Sequence, residues 1–124
     1  MSDLRECVLV VDDQGLIADL WCILLEDMGC NVCGTAPTGA KAIALALEHR
    51  PRVIIMDVRL RGEMDGVDAA RAIHESLSSR IIFITGSREP ETMARIRTDN
   101  PAAVLFKPVS NRQFQAAVRE AFQH

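Results

Sequence analysis

Apolar side chains fall along this chain in short unbroken runs that alternate with stretches repeating every three to four residues. Cys7–Val11 (CVLVV), Val53–Met56 (VIIM), Ile81–Ile84 (IIFI) and Ala102–Phe106 (AVLF after the first alanine) are continuous runs. Such runs are expected of parallel strands covered on both faces. Asn31–Ala36 reads as a weaker strand. Between the first two strands, Ile17, Leu20, Trp21, Leu24, Leu25 and Met28 repeat with helical spacing, with Asp19, Glu26 and Asp27 turned outward and Gly29 at the end. That pattern predicts an amphipathic helix with Trp21 in the core. An alanine-rich helix is expected over Thr38–His49, stopped by Pro51. A polar turn through Gly62 and Gly66 leads to a helix over Val67–Leu77, and a less regular one spans Pro90–Thr98. Ser110 and Gln113 form a capping-box pattern opening a last helix, with Phe114, Ala117, Val118 and Ala121 on one face.

Five strands alternating with five helices predict a doubly wound α/β fold with a parallel sheet. In such sheets ligands bind beyond the carboxyl ends of the strands. A length of 124 residues fits one domain, residues 1–124, and a hydrophobic fraction of 48% with 25% charged is that of an ordinary globular chain. No apolar run approaches the roughly 18–20 residues that cross a bilayer. The opening MSDLREC places acidic residues before a short apolar stretch, unlike a secretory signal. A cytoplasmic protein with no membrane contact is expected.

A net charge of −3 creates no global attraction for nucleic acid, so no direct nucleic-acid binding is expected. The charge is uneven, however: residues 80–119 carry seven basic and three acidic side chains, which reads as scattered surface charge, with a basic partner face in the last third as the alternative. Cys30 and Cys33 form a lone C-x-x-C without the further ligands a structural zinc needs. The four cysteines are expected to be buried, reduced thiols. His49, His74 and His124 assemble into no metal or catalytic set.

The strand ends carry the chemistry. The first strand ends in Asp12–Asp13, the third in Asp57, the fourth in Thr85 and the fifth in Lys107. Three carboxylates converging on one rim cannot all stay ionised without a counter-charge. A hard divalent cation supplies it, and Mg²⁺ needs only one or two protein carboxylates plus phosphate oxygens. Lys107 adds a cation able to pair with Asp57 or with a phosphoryl oxygen. An aspartate so placed can act as nucleophile toward phosphorus. The Thr85 hydroxyl would bond a phosphoryl oxygen only once the group has arrived.

In order and spacing, VLVVDDQ, VIIMD, IIFITG and VLFKP resemble the receiver domain of bacterial response regulators, over essentially the whole chain. The resemblance implies a flavodoxin-like (βα)5 fold with strand order 2-1-3-4-5. It implies Asp57 as phosphoacceptor, Asp12 and Asp13 as the acidic metal pair with the Arg59 main-chain carbonyl as a further ligand, Thr85 as the switch hydroxyl, and a cis Lys107–Pro108 bond. It implies Mg²⁺, with Mn²⁺ as substitute, and catalysis limited to the domain's own phosphorylation and dephosphorylation. The donor would be a sensor histidine kinase or a histidine phosphotransfer protein, and the chain a single-domain regulator acting on a downstream protein by docking or phosphotransfer. Arg95, Arg97 and Arg112 would lie on the family's output and dimer face, leaving a weak homodimer open.

Three departures from the pattern stand out. Receivers carry an aromatic three residues before the lysine, where this chain has Val104 and no tyrosine anywhere. Phe106 is expected on the opposite face from Val104, packed against a helix. The loop after Asp57 has Arg61 where many receivers have proline, and Glu63 is expected in a solvated turn. Arg59 and Ser87 flank the expected phosphoryl position and are expected to tune its lifetime. The missing aromatic leaves one rival, a phosphorylation-independent interaction module. A P-loop is rejected because Ala40 separates Gly39 from Lys41. A dehalogenase-type phosphatase is rejected because Asp12 and Asp13 are adjacent rather than one residue apart.

Overall fold

The computed structural model describes residues 6–123; the N-terminal heptapeptide's first five residues and His124 lie outside the described residues. The elements alternate without exception: β1 (Cys7–Val11), α1 (Gly15–Asp27), β2 (Asn31–Ala36), α2 (Gly39–His49), β3 (Val53–Asp57), α3 (Gly66–His74), β4 (Arg80–Thr85), α4 (Pro90–Thr98), β5 (Ala103–Phe106) and α5 (Asn111–Phe122). The strands form one sheet in the order β2-β1-β3-β4-β5, every pair parallel. The expected fold class and strand order are those of the structure.

Period-two alternation divides the strands between two cores. Leu9, Val11, Ile54, Met56, Ile81 and Phe83 face α2, α3 and α4, where they meet Ala42, Ala46, Val67, Ala70, Ile73 and Ile96. Val8, Val10, Val53, Ile55, Ile82 and Ile84 face α1 and α5, against Ala18, Trp21, Leu25, Phe114 and Val118. Each fully buried Leu, Ile or Phe here contributes about 1.5–3 kcal/mol relative to exposure. Trp21 is in the core as expected, stacked on Phe114 with ring centroids 4.4 Å apart, which fastens α1 to α5.

The helices start where their caps lie. Thr38 is the N-cap of α2 rather than its first residue, its hydroxyl accepting from Lys41 N–H at 3.1 Å. Asp65 and Asp68 form a reciprocal capping box on α3, and Ser110 and Gln113 form the expected one on α5.

Three expectations need correction. Leu20 does not belong to the buried stripe of α1: it is 38% exposed and joins Leu16 (85%) and Ile23 (56%) on a second, solvent-facing apolar stripe. The third helix ends at His74, not Leu77; Leu77 stays in the core beyond the helix end, which extended the apparent periodicity. Of the four free thiols only Cys7 is buried, while Cys22, Cys30 and Cys33 are half-buried. Burial and the neighbouring Cys7 push the Cys33 thiol up to about 12, so it is the neutral form that sits there. His74 spends its ring nitrogens on Ser79 O (2.8 Å) and Asp99 (3.0 Å), a structural tie at the far end of the sheet from the acidic rim. No helix among the described residues is long and apolar enough to cross a membrane.

Candidate functional site

The rim at the carboxyl ends of β1, β3, β4 and β5 collects the residues singled out above. Asp12 and Asp57 are nine-tenths or more buried, as is Thr85, because each directly continues an apolar strand into the covered end of the sheet. Asp13 is half-buried. Asp12, Asp13 and Asp57 each bring a carboxylate oxygen within 4.8 Å of the others, the one cluster of this kind among the described residues. Lys107 Nζ stands 3.1 Å from Asp57 Oδ1. That approach is ionic in reach but not aligned as a hydrogen bond, and Oδ1 is otherwise buried without a hydrogen-bond partner.

The electrostatics follow from that packing. Burial pushes the Asp57 carboxyl up, Asp12 adds to it, and the Lys107 ammonium works in the other direction. Burial likewise pushes Asp12 up, against the Gln14 N–H that donates to its Oδ1 at 2.9 Å and against Lys107. One lysine is too little positive charge for three acids. A buried oxygen compensated only by the Lys107 ammonium, beside two further carboxylates, is the donor set a hard divalent cation takes, so the residues present fit Mg²⁺.

A cleft of about 460 Å³ opens over Asp57, lined by Gln14, Val58, Arg59, Asp65, Thr85, Gly86, Ser87, Glu89, Thr92 and Lys107. Arg59 and Ser87 therefore flank Asp57 as expected, and Glu63 is exposed away from this lining. The cleft floor depends on Gly66. A Cβ at that position would come to 2.1 Å from the Asp57 carbonyl oxygen. Gly66 N–H meanwhile donates to Val58 O at 2.7 Å, which draws the start of α3 onto the end of β3. Lys107 N–H donates to Thr85 O at 2.9 Å, locking the ends of β4 and β5 together, and the Lys107–Pro108 bond is cis as expected.

Around Thr85 the loop is internally tied. Ser87 N–H donates to Thr85 Oγ1 at 3.0 Å, and the hydroxyl's own proton has only Ser87 O at 3.4 Å. The expectation for Phe106 fails on geometry. Positions two apart in a strand share a face, so Phe106 lies on the same side as Val104, the side of α2, α3 and α4. The ring is half-buried and belongs to neither core; the Arg88 guanidinium carbon sits 3.9 Å from its centroid. A part-exposed cation–π contact of this kind is worth about 0.5–1 kcal/mol. Arg88 gave no sign in the sequence, since a loop arginine two residues before a helix has no periodicity to fix its direction.

Arg95 is already paired within the domain: Nη1 and Nη2 grip Asp65 at 2.8 and 3.0 Å and Nη2 reaches Asp68 at 3.0 Å, with the side chain still 39% exposed. Burial alone would raise the Asp65 carboxyl, but Arg95 and the Asp68 N–H hold it below the usual carboxylate range.

A doubly wound sheet with an acidic rim, a lysine just past the last strand and a hydroxyl at the end of the one before it is the architecture of a response-regulator receiver domain. The chain belongs to the response regulator receiver domain family, which matches residues 8–119. It is 31% identical over 121 residues to the phyllosphere-induced regulator PhyR of Methylorubrum extorquens, covering 97% of this chain and 45% of that protein. It is 33% identical over 103 residues to the transcriptional regulatory protein PdtaR of Mycobacterium tuberculosis, covering 83% of this chain and 50% of that protein. The chain thus spans about half the length of the curated relatives it matches. Among solved structures, the signal receiver domain of a modulated diguanylate cyclase from Desulfovibrio desulfuricans G20 superposes with a TM-score of 0.86 at 34% identity, over 94% of this chain and 92% of that one. The receiver domain of the putative response regulator NarL from Mycobacterium tuberculosis gives 0.84 at 29% identity, over 96% and 99%. Receiver domains are signalling modules of two-component systems that work with histidine kinases or phosphotransfer proteins.

Proposed function

We propose that residues 1–124 act as one phosphoacceptor receiver, taking a phosphoryl group on Asp57 from a phosphohistidine of a sensor histidine kinase or a histidine phosphotransfer protein. The observation that carries this reading is the buried Asp57 carboxylate, its Oδ1 set 3.1 Å from the Lys107 ammonium within an acidic cluster. An Asp57 oxygen attacks phosphorus as the P–N bond to the histidine breaks; the bond's electron pair returns to the imidazole. Asp12, Asp13, Asp57 and the Arg59 main-chain carbonyl hold Mg²⁺, or Mn²⁺ in its place. When bound, the cation neutralises charge on the transferring group. Lys107 exchanges its pairing with Asp57 for a phosphoryl oxygen, and the Thr85 hydroxyl donates to another. The domain's catalysis is confined to its own phosphorylation and dephosphorylation.

The solvent-facing stripe of Leu16, Leu20 and Ile23 begins two residues from cleft-lining Gln14 and supports docking of the donor protein along α1. Arg95, Arg97 and Arg112 are basic contributors to a downstream protein face, on which a weak homodimer also draws. The reading places the protein in the cytoplasm.

Acetyl phosphate with Mg²⁺, followed by intact mass and hydroxylamine treatment, tests it. An acid-stable, hydroxylamine-sensitive adduct in the wild type and none in Asp57→Asn is the expected result. A second reading, the phosphorylation-independent module, is favoured by Val104 in the switch position; failure to form the adduct selects it.

A further inference from the structure

The sheet register sets Thr85 directly beside Phe106 on the neighbouring strand. Paired residues of parallel strands share a face, so the hydroxyl and the ring leave the sheet on the same side. The loop that departs from Thr85 then brings Arg88 back over that ring, 3.9 Å from its centroid. Residues 85–89 form one tied turn. Ser87 N–H holds the Thr85 hydroxyl at 3.0 Å, and the Ser87 hydroxyl exchanges bonds of 3.1 Å with the Glu89 carboxylate and N–H. Arg88 is exposed on this turn, together with Gly86 and Glu89.

Thr85 therefore has one firm bond, as acceptor, while its own proton is held at the longer 3.4 Å. A phosphoryl oxygen in the same cleft is a charged and stronger acceptor for that proton. Val104 pairs with Phe83, one layer back from the rim, and has no ring to follow any movement of Thr85. Phe106 has the ring and the register.

We propose that Arg88 and Phe106 are the read-out element of this site. When the Thr85 hydroxyl turns to a phosphoryl group on Asp57, the 85–89 turn follows and lifts Arg88 off Phe106, exposing an aromatic face and freeing a cation on the rim. This rests on Asp57 being the phosphoacceptor. Because the contact is made only in the resting state, removing it favours the other state and must tighten binding of a phosphoryl mimic.

The test uses the full chain labelled with fluorophenylalanine, whose four ring signals are separated by assigning Phe106 through Phe106→Leu. With acetyl phosphate and Mg²⁺, the Phe106 signal should move in step with the adduct measured by intact mass. Arg88→Gln, an exposed position, should show the moved signal without phosphate. It should also bind beryllofluoride with Mg²⁺ about two- to fivefold more tightly, the factor expected from losing one such contact. Phe106→Leu should tighten binding by the same factor, and the double variant by no more than either single one. An adduct that leaves the Phe106 signal in place, or an unchanged beryllofluoride affinity in Arg88→Gln, overturns the proposal. Absence of any Asp57-dependent adduct overturns it together with the phosphoacceptor reading, and the mass measurement tells that failure apart from the others.

Discussion

Arg95 in the middle of α4 holds Asp65 at the start of α3 by two guanidinium bonds of 2.8 and 3.0 Å, so one side chain both caps a helix and ties it to its neighbour. Asp65 does the capping, with Asp68 N–H at 2.9 Å, and Arg95 fixes the orientation of the carboxylate. Both partners are roughly a third exposed, which limits the pair's worth. Arg95→Ala should cost about 0.5–1 kcal/mol. Asp65→Ala should cost about 1–2 kcal/mol, because it removes the cap as well. Urea denaturation with an unchanged m-value checks both. An equal loss in the two variants would mean that the cap contributes nothing of its own.

The same carboxylate sets a pH dependence. Its folded pKa lies below its unfolded one, so its stabilisation is complete above the unfolded value of about 3.9 and fades as pH falls through the folded value. Denaturation midpoints measured downward from pH 5 should converge for wild type and Asp65→Asn as the acid limb is reached.

Asp57 and Asp12 act with the opposite sign. Their folded pKa values are raised, so in that window the folded state holds more protons and stability falls as pH rises through it. At neutral pH, without divalent cations, Asp57→Asn should raise Tm by roughly 3–6 °C, the shift that about 1 kcal/mol gives in a domain of this size. Near pH 3.5 the gap should close. Added Mg²⁺ should raise Tm of the wild type more than that of the variant. A lower Tm for Asp57→Asn in EDTA would contradict the account of the rim as electrostatically crowded.

Gly66→Ala, at the buried first residue of α3, should be among the most damaging glycine substitutions in the chain. Its methyl group would meet a main-chain oxygen, which cannot swing aside as a side-chain tip can. A loss of about 3 kcal/mol is expected, with Asp57 displaced. Gly39→Ala meets only the flexible Met64 side chain and should cost far less. Comparable denaturation midpoints for the two variants would refute the distinction.

Arg59 is exposed at the mouth of the cleft. Truncation to alanine should admit water to the acyl phosphate and shorten its half-life, measured as loss of the adduct after donor removal. An unchanged half-life would release Arg59 from that role.

Strand ends were legible because an apolar run that stops at an acid, a hydroxyl or a lysine marks a carboxyl-end rim whichever helices surround it. That rule reached Asp12, Asp13, Asp57, Thr85 and Lys107. It did not reach Arg88 over Phe106 or Arg95 on Asp65, since a long side chain's direction is set by tertiary partners rather than by spacing. Phe106 was misplaced by parity alone: two steps along a strand return to the same face. Leu20 was misread because α1 carries two apolar stripes, and periodicity does not say which one meets the sheet. Leu77 lengthened α3 on paper because a residue can remain in the core after the helix beneath it has ended.

The salt bridge between Lys107 and Asp57 joins the last strand to the middle of the sheet. The two residues stand fifty positions apart in sequence, and Lys107 directly follows the edge strand β5. Charge compensation inside the sheet's carboxyl end is thus borrowed from its margin: whatever shifts β5 against β4 also shifts the ammonium that faces the buried Asp57 carboxylate.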